Sequence, residues 1–295
     1  MANLRQIRRR LRFVQNSKQI MRAMQLVSGS KLKRSHGRLL QSRQVFAFLD
    51  ELLQRVVAAT ATDPRRRTSA RPEHPLCRTQ EGQPSAMVVV TSDTGLCGSY
   101  NTNLIQLAEA HLRRDSARTT QLIFIGKKGY RYLTRRGYTA LESYLDLAGR
   151  SEPAKAAEIG RALMQRFLSG SVGSVSVLYS RFASPTVYRP TIEPWLPIAL
   201  SVQRTASRVH ADYIFEPTPQ RVFEDLLPRW ALARFQLILL EAFTSEHSAR
   251  MIAMKNATDN ATELLDALTL QRNKVRQAAI TKELSEIVGT AEALK

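Results

Sequence analysis

Two series of hydrophobic residues spaced three and four apart predict a long helix over residues 1–61. Leu4, Ile7, Leu11 and Val14 form the first series, which has the spacing of a heptad seam. No proline occurs before Pro64, so no residue in this stretch forces the helix to end. The second series continues the seam with Leu32, Leu39, Phe46, Leu49, Leu53 and Val56.

The heptad spacing of apolar residues is interrupted between the two series. Gly29 and Gly37 lie there, and each costs about 1 kcal/mol of helix propensity relative to alanine. Two alternatives stay open: a continuous helix with a narrow waist, or a helix that breaks. Small or polar residues replace the leucines of an ideal zipper at Lys18, Gln25, Ser28 and Ser35.

A second long helix is predicted at the C-terminal end, because residues 229–288 contain neither glycine nor proline. One helix of that length extends roughly 90 Å at about 1.5 Å per residue, which is longer than a compact domain is wide. Pro228 and Gly289 are suitable start and stop marks. The two helices bury their apolar stripes most simply as an antiparallel coiled coil. The C-terminal stripe is Met254, Ala257, Ala261, Leu264, Leu268 and Val275.

Between the helices the pattern changes to that of an α/β domain. Residues 86–91 form an apolar, β-branched run typical of a buried parallel strand, and further strands are predicted at 122–125 and 175–179. The predicted fold class is therefore α/β plus a long antiparallel α-helical coiled coil, with paired N- and C-terminal helices and a middle Rossmann-like domain. Helical stretches alternate with the strands at 103–113, 130–136 and 154–168.

Composition sets the limits of the predicted domains. Residues 62–85 are rich in proline, arginine and polar residues, which predicts an exposed linker, and residues 201–219 form a second irregular stretch. The predicted domains are an N-terminal helix at 1–61, a linker at 62–85, an α/β domain at 86–209, and a linker with the C-terminal helix at 210–295.

Positive charge is concentrated near the N-terminus. The chain has 44 Lys and Arg residues against 25 Asp and Glu residues, a formal net charge of +19. Residues 1–49 hold twelve basic residues and no acid, whereas residues 234–295 hold eight of each. Helices ordinarily mix signs to form i,i+4 pairs, so charge of one sign predicts an acidic partner surface.

No catalytic or ligand-binding constellation stands out. The turn at 93–99 follows a strand, where a phosphate loop would lie, but it lacks the glycine-rich phosphate motifs, so a structural turn is favoured. Residues 126–129 are interpreted as a solvated turn, and Cys97 as a small buried cysteine rather than a nucleophile. We therefore expect no catalytic residue, no cofactor and no metal. The histidines lack metal-ligand spacing, at His36, His74, His111, His210 and His247.

The sequence also predicts no membrane-spanning segment and no secretory signal, because it has neither a long apolar run nor an apolar N-terminal region. A transit peptide is disfavoured, since the N-terminal pattern runs on without a cleavage-like break. The only cysteines, Cys77 and Cys97, exclude a disulfide framework and indicate a reducing compartment.

Three groups of motifs follow one another along the chain. The first is at 7–11, 19–27 and 30–32, the second is the turn at 92–98 with 101–104, and the third is at 245–261 and 273–284. In this order they resemble the gamma subunit of rotary (F-type) ATP synthases. The resemblance covers both ends of the chain and the core of its middle, so it is more specific than any single motif.

The resemblance implies a mechanical function. The two long helices would form the central rotor shaft inside a hexamer of alternating alpha and beta subunits, and the α/β domain would be a foot on the c-subunit ring beside epsilon. Such a subunit couples ion-driven rotation of the ring, with protons or sodium, to ATP synthesis or hydrolysis in the hexamer, and has no catalytic residues of its own. It would lie peripherally at the cytoplasmic face of a bacterial inner membrane. A dithiol switch of the chloroplast type is not expected, because no cysteine pair lies between the middle domain and the last helix.

The resemblance also assigns roles to residues. Met24, Arg250 and Gln277 match positions that couple rotation to beta, Arg276 and Gln277 would hydrogen-bond a loop of beta, and Tyr213 aligns with a c-ring contact region. The implied subunit-interface residues are Met24, Arg250, Arg276, Gln277, Thr281, Glu283 and Tyr213. An apolar bearing, in which weak and non-directional contacts let the shaft tip turn, is implied at Ile280, Leu284, Ile287, Val288 and Leu294.

Two other classes of function compete with the shaft. A nucleic-acid-binding coiled-coil protein fits the net charge, but the basic runs have few aromatic residues and no known recognition motif. An α/β enzyme with coiled-coil arms fits the periodicity, but it lacks a catalytic set.

Overall fold

The structure is a computed structural model, and it describes residues 4–61, 74–80, 82–114, 120–147, 149, 152–200, 213 and 215–293. The helices are α1 Leu4–Ala61, α2 Tyr100–Arg114, α3 Lys127–Arg135, α4 Pro153–Leu168 and α5 Pro219–Ala293, with a short 3-10 helix at Pro75–Cys77. The strands are β1 Ser85–Val90, β2 Gln121–Ile125, β3 Ala140–Tyr144, β4 Ser174–Ser184 and β5 Val187–Leu196. The chain divides into two compact units: residues 1–30 with 250–295, and residues 31–249.

The first helix is continuous through its polar stretch, which decides between the two alternatives left by the sequence. Ser28 is buried there, and a Cβ added to Gly29 would lie 3.5 Å from the Met251 sulfur atom. Small residues therefore replace leucine because the neighbouring helix comes close, so the waist is a packing feature and not a break.

The last helix is longer than the sequence predicts. It begins at Pro219 rather than after Pro228, and it continues through Gly289 to Ala293, so both predicted end marks are wrong. A proline inside a helix costs about 3 kcal/mol or more. Here Phe223, Leu227 and Ala231 are buried in one core on both sides of Pro228, and that packing keeps the helix intact.

The middle of the chain forms one five-stranded sheet with the order β3-β2-β1-β4-β5. Strands β1 to β4 pair in parallel, and β5 pairs antiparallel with β4. The predicted Rossmann-like domain is confirmed. The sequence missed β3 and β5, and β5 carries Pro190 and Pro194, which are tolerated because it is an edge strand.

Alternating residues of the sheet strands point into two different hydrophobic cores. Val88 and Val90 face a core with helix α4, the C-terminal part of α1 and the first part of α5, whereas Met87 and Val89 face a core with α2 and α3. The side-chain period of two in a strand produces this division. The sheet is thus covered by helices on both faces, as a parallel sheet requires.

The other unit pairs the first part of α1 with the last part of α5. Val14, Ala261 and Leu268 are buried together, with Leu11 and Leu265 packed against them. All but Leu265 belong to the seams predicted from the sequence; Leu265 packs here instead of the predicted Leu264, which is 41% exposed. Low numbers on α1 meet high numbers on α5. The pairing is therefore antiparallel, as predicted.

The described part of the predicted linker 62–85 is not uniformly exposed. Leu76, in the short 3-10 helix, is buried in the core of the sheet domain, and Ser85 already belongs to β1. The domain limits expected from the sequence remain a prediction.

Candidate functional site

The C-terminal part of α5 is a helix exposed on every side. All residues from 276 to 290 are exposed, in contrast to Val14 and Leu268, which are buried where α1 and α5 pack together. Arg276, Gln277, Thr281 and Glu283 all lie on this segment. An isolated helix is marginal in water, so an extended helix of this kind requires a partner surface.

An apolar stripe runs along the same segment. Ile280, Leu284, Ile287 and Val288 are spaced four, three and one apart, which places them on one side of the helix. Each is between 49% and 63% exposed. Exposed aliphatic side chains grouped on one face are typical of a binding surface. Leu294, the fifth bearing residue expected from the sequence, lies outside the described residues.

Met24 and Arg250 belong to the same unit but differ in exposure. Met24 is half-buried on α1, and Arg250 on α5 is only 8% exposed. Arg250 therefore presents little surface. Tyr213, which belongs to the other unit, is 46% exposed, stacks against Phe215, and lies 4.9 Å beneath the guanidinium of Arg55.

The basic residues at the start of α1 point to solvent. The arginines at positions 8, 9, 10, 12 and 22 are all exposed, and they surround the buried Ile7 and Val14. Their helix thus has a narrow apolar seam and a broad cationic surface. That surface can attract an acidic partner at long range.

The turn between β1 and α2 satisfies its polar groups internally. Asn101 Oδ1 accepts a hydrogen bond from the Ser92 backbone N–H at 3.0 Å, and the Ser92 hydroxyl donates to the Thr94 carbonyl at 2.6 Å. Cys97 is buried, with its sulfur 3.1 Å from Asn101 Nδ2. The burial of Cys97 expected from the sequence is confirmed.

Helix α5 packs where a Rossmann-like sheet usually binds its ligand, at the carboxyl ends of the strands where the strand order reverses. That point lies between β1 and β4. Ser245 of α5 donates to the carbonyl of Ser180 in β4 at 2.9 Å, and Tyr100 at the start of α2 donates to the carbonyl of Ala242 at 3.0 Å. Ala249 packs into the core formed by β1 and α2. The chain's own helix therefore occupies this crevice, which argues against the enzyme alternative.

The stretch from Gly126 to Gly129 is not a solvated turn, so that interpretation is wrong. Gly126 precedes α3 with φ +99°, and Lys127 begins the helix. Both glycines are buried, and a Cβ on Gly126 would lie 2.1 Å from the Thr91 carbonyl oxygen. The glycines allow the end of β1 and the start of α3 to touch.

An ionic cluster joins the β4–β5 hairpin to α5. Glu193 accepts hydrogen bonds from Arg234 Nε at 2.7 Å, Arg181 Nη2 at 2.9 Å and the Tyr179 hydroxyl at 2.8 Å. Burial opposes ionisation of Glu193, but the charge of Arg234 and these hydrogen bonds outweigh it and hold the pKa of Glu193 below its ordinary value. Burial raises the pKa of Tyr179, so its hydroxyl stays a donor.

The described residues offer neither a metal-binding cluster nor a membrane-spanning helix. Within them, no group of three or more His, Cys, Asp or Glu residues is arranged to hold a metal ion. No helix in the described part of the chain is both long enough and apolar enough to cross a bilayer.

Sequence reasoning missed one feature of α5. Every residue from Leu237 to Ala249 is buried, although many of them are polar. No sequence signal indicates this burial, because serine, threonine and glutamate on a helix are ordinarily exposed. Helical periodicity alone does not show burial on all sides.

Comparison with known proteins extends these observations. The sequence profile of the ATP synthase family matches residues 3–294. The ATP synthase gamma chain of Moorella thermoacetica is 40% identical over 295 residues, and the alignment covers 100% of each chain. A chain of the Euglena gracilis mitochondrial ATP synthase in rotational state 3 has a TM-score of 0.65 at 19% identity, covering 99% of this chain and 94% of that one. A chain of the rotor of the same enzyme in rotational state 1 has a TM-score of 0.62 at 17% identity, covering 94% and 98%.

The fold defines a class of protein that combines an α/β domain, two long antiparallel helices and an exposed helical end. Within that class, the match over nearly the whole chain is decisive. The chain belongs to the family of ATP synthase gamma chains.

Proposed function

We propose that this chain is the shaft that couples rotation of a c-subunit ring to ATP synthesis or hydrolysis in a hexamer of alpha and beta subunits. The observation that carries the proposal is the fully exposed segment 276–290 with its apolar stripe. A shaft tip needs such a segment, because the surrounding hexamer supplies its cover.

The tip combines two kinds of contact. Ile280, Leu284 and Ile287 offer apolar contacts without preferred direction, so a collar around them holds the helix and still lets it turn. Arg276 and Gln277 offer directional hydrogen bonds to a loop of one beta subunit. Thr281 and Glu283 extend the same polar surface, and the proposal includes Leu294 in the apolar part.

Asymmetry makes the shaft a coupling device. One body cannot contact three beta subunits equally, so each catalytic site adopts a different affinity, and rotation by a third of a turn exchanges the three states. This is a population shift imposed by differential contacts. Met24 and Arg250 take part in these contacts, and the basic surface of α1 faces acidic loops of beta.

The sheet domain is the foot of the shaft in this proposal. It rests on the c ring beside epsilon, and Tyr213 contacts the ring side. Because the ring lies in the bilayer, the assembled protein is peripheral to the membrane, at the cytoplasmic face of a bacterial inner membrane. Protons or sodium ions drive the rotation.

Reconstitution tests the proposal directly. The chain is combined with the alpha and beta subunits of the same organism, immobilised through beta, and a bead on the foot is followed during ATP hydrolysis. We expect unidirectional rotation in steps of a third of a turn, and no ATP hydrolysis by the chain alone. A complex that hydrolyses ATP without rotating the bead, or a chain that hydrolyses ATP alone, would overturn it.

A further inference from the structure

A polar segment of α5 is enclosed on all sides by the sheet domain. Between Leu237 and Ala249 every residue is buried, and the polar members are 6% exposed or less. Helices buried all round are ordinarily apolar, because each buried polar group needs a partner. The polar members are Glu241, Thr244, Ser245, Glu246, His247 and Ser248.

On one side, the segment is tied to the sheet through backbone carbonyls. The Ser245 hydroxyl donates to the Ser180 carbonyl of β4 at 2.9 Å, and the Ser248 hydroxyl donates to the carbonyl of Pro185 in the β4–β5 turn. Backbone groups of a sheet are fixed in space, so these bonds hold α5 against a rigid frame.

The segment is also tied to α1 and to the loop before α4. Arg43 of α1 bonds Glu241 at 2.7 Å, and the Ser35 hydroxyl contacts the Thr244 hydroxyl. His247 Nε2 lies 3.0 Å from the Gly149 carbonyl. Glu241, Ser245 and Ser248 are spaced four and three apart and share one face of α5, whereas His247 lies on another face, so hydrogen bonds hold the segment on more than one face.

We infer that residues 241–248 and these partners form a polar socket, the place where the foot grips the shaft and passes torque to it. The inference rests on the proposed function. Hydrogen bonds are directional and weaken steeply as they are bent, so bonds from a helix to fixed partners resist both turning about its axis and sliding along it. Apolar packing alone resists such motion less, because it has no preferred direction.

The polar socket and the shaft tip therefore use opposite chemistry for opposite tasks. The exposed stripe of Ile280, Leu284 and Ile287 is suited to turning within a collar, whereas Ser245, Ser248 and Glu241 are suited to holding. An ordinary apolar core would stabilise the foot equally well without fixing the helix in rotation.

A measurement of the torsional stiffness between foot and shaft tests the role of the polar socket independently of catalysis. Two variants weaken it: Ser245→Ala combined with Ser248→Ala, and Glu241→Gln, which keeps side-chain size. Ser169→Ala is the matched control, because its hydroxyl bonds the Arg166 carbonyl of its own helix α4 and lies exposed. A bead on Gln106→Cys, an exposed position of α2, reports the foot angle in the rotating complex. Native Cys77 reacts slowly with the bead linker, because burial raises its pKa to about 11.

We expect both weakened variants to hydrolyse ATP at the wild-type rate, since the chemistry takes place in the hexamer. The variance of the bead angle during pauses should rise about twofold, because part of the set of directional bonds is lost, and Ser169→Ala should match the wild type. Equal variance in the control and both weakened variants would overturn the polar socket alone. A wild-type complex that does not rotate would overturn the proposed function instead. If the double variant does not assemble, Glu241→Gln decides the question.

Discussion

Arg43 on α1 joins Glu241 on α5 through two hydrogen bonds to one carboxylate oxygen, 2.7 Å from Nη2 and 3.2 Å from Nε. The same Nη2 donates to the Phe182 carbonyl of β4 at 2.7 Å. One guanidinium thus links two helices and the sheet. Because the Glu241 side chain is only 7% exposed, the pair is shielded from solvent on the acidic side.

Loss of this guanidinium should destabilise the chain. Arg43→Ala leaves a buried carboxylate without its cation, and we expect a loss of about 2 kcal/mol in the free energy of unfolding, less than for a fully buried pair because Arg43 is 37% exposed. Lys155→Ala, which removes an exposed pair with Glu158 on α4, is the control and should change the value by less than about 0.5 kcal/mol. Denaturant unfolding of the full chain measures both. Equal losses in the two variants would mean that the Arg43 pair behaves as a surface pair.

The ionic cluster around Glu193 should make stability depend on acidity. The pKa of Glu193 is lowered in the folded chain, so its ionised form stabilises the fold above the ordinary glutamate value of 4.5, and the stabilisation is lost as the pH falls through the lower folded value. We expect Glu193→Gln to cost about 1–3 kcal/mol at pH 7 and progressively less below pH 4.5.

Unfolding curves for wild type and Glu193→Gln between pH 7 and pH 3.5 check this dependence. The exposed Glu158→Gln is the reference for general acid effects. A wild-type advantage that stays constant across the range would show that Glu193 contributes by packing rather than by its charge.

Close approach of Thr91 to Gly126 predicts a severe effect of one methyl group. Gly126→Ala places a Cβ 2.1 Å from the Thr91 carbonyl oxygen and also forces alanine to φ +99°. We expect a loss of about 3 kcal/mol or more in the free energy of unfolding. Gly137→Ala, at φ +89° in open space, isolates the backbone strain and should cost about 1–2 kcal/mol. Similar losses at both positions would mean that the backbone relaxes away from the contact.

Gly126 is an example of a feature that the sequence does not predict, whereas the overall architecture is predicted correctly. The seams of α1 and α5 and the run at 86–91 predict the correct architecture, because periodicity reports which face is buried. Gly126 looks like a solvated turn, since its closeness to Thr91 depends on strand pairing that is remote in sequence. For the same reason Pro228 looks like a helix start, although tertiary packing carries α5 through it.

In the candidate site, too, some features could be predicted from the sequence and others could not. The exposed tip at 276–290 agrees with the outward-facing positions expected for Arg276 and Gln277. Burial of Ser245 and Ser248 could not be read from the sequence, because serine on a helix is ordinarily exposed. Only the fold reveals that the sheet's carbonyls are their partners.

Replacing Arg276 and Gln277 should weaken coupling without affecting folding. Both side chains are exposed on α5, so replacing both with alanine should leave the melting temperature of the full chain within about 2 °C of the wild type. In the assembled enzyme we expect at least about tenfold weaker coupling, seen as fewer ions pumped per ATP hydrolysed, because two directional contacts to beta are lost. Arg161→Ala with Gln165→Ala is the matched control, since it removes the same residue types from an exposed face of α4. A marked drop in melting temperature would place the two side chains in the core. If the variant pumps as many ions per ATP as the α4 control, the two residues are not part of the coupling surface.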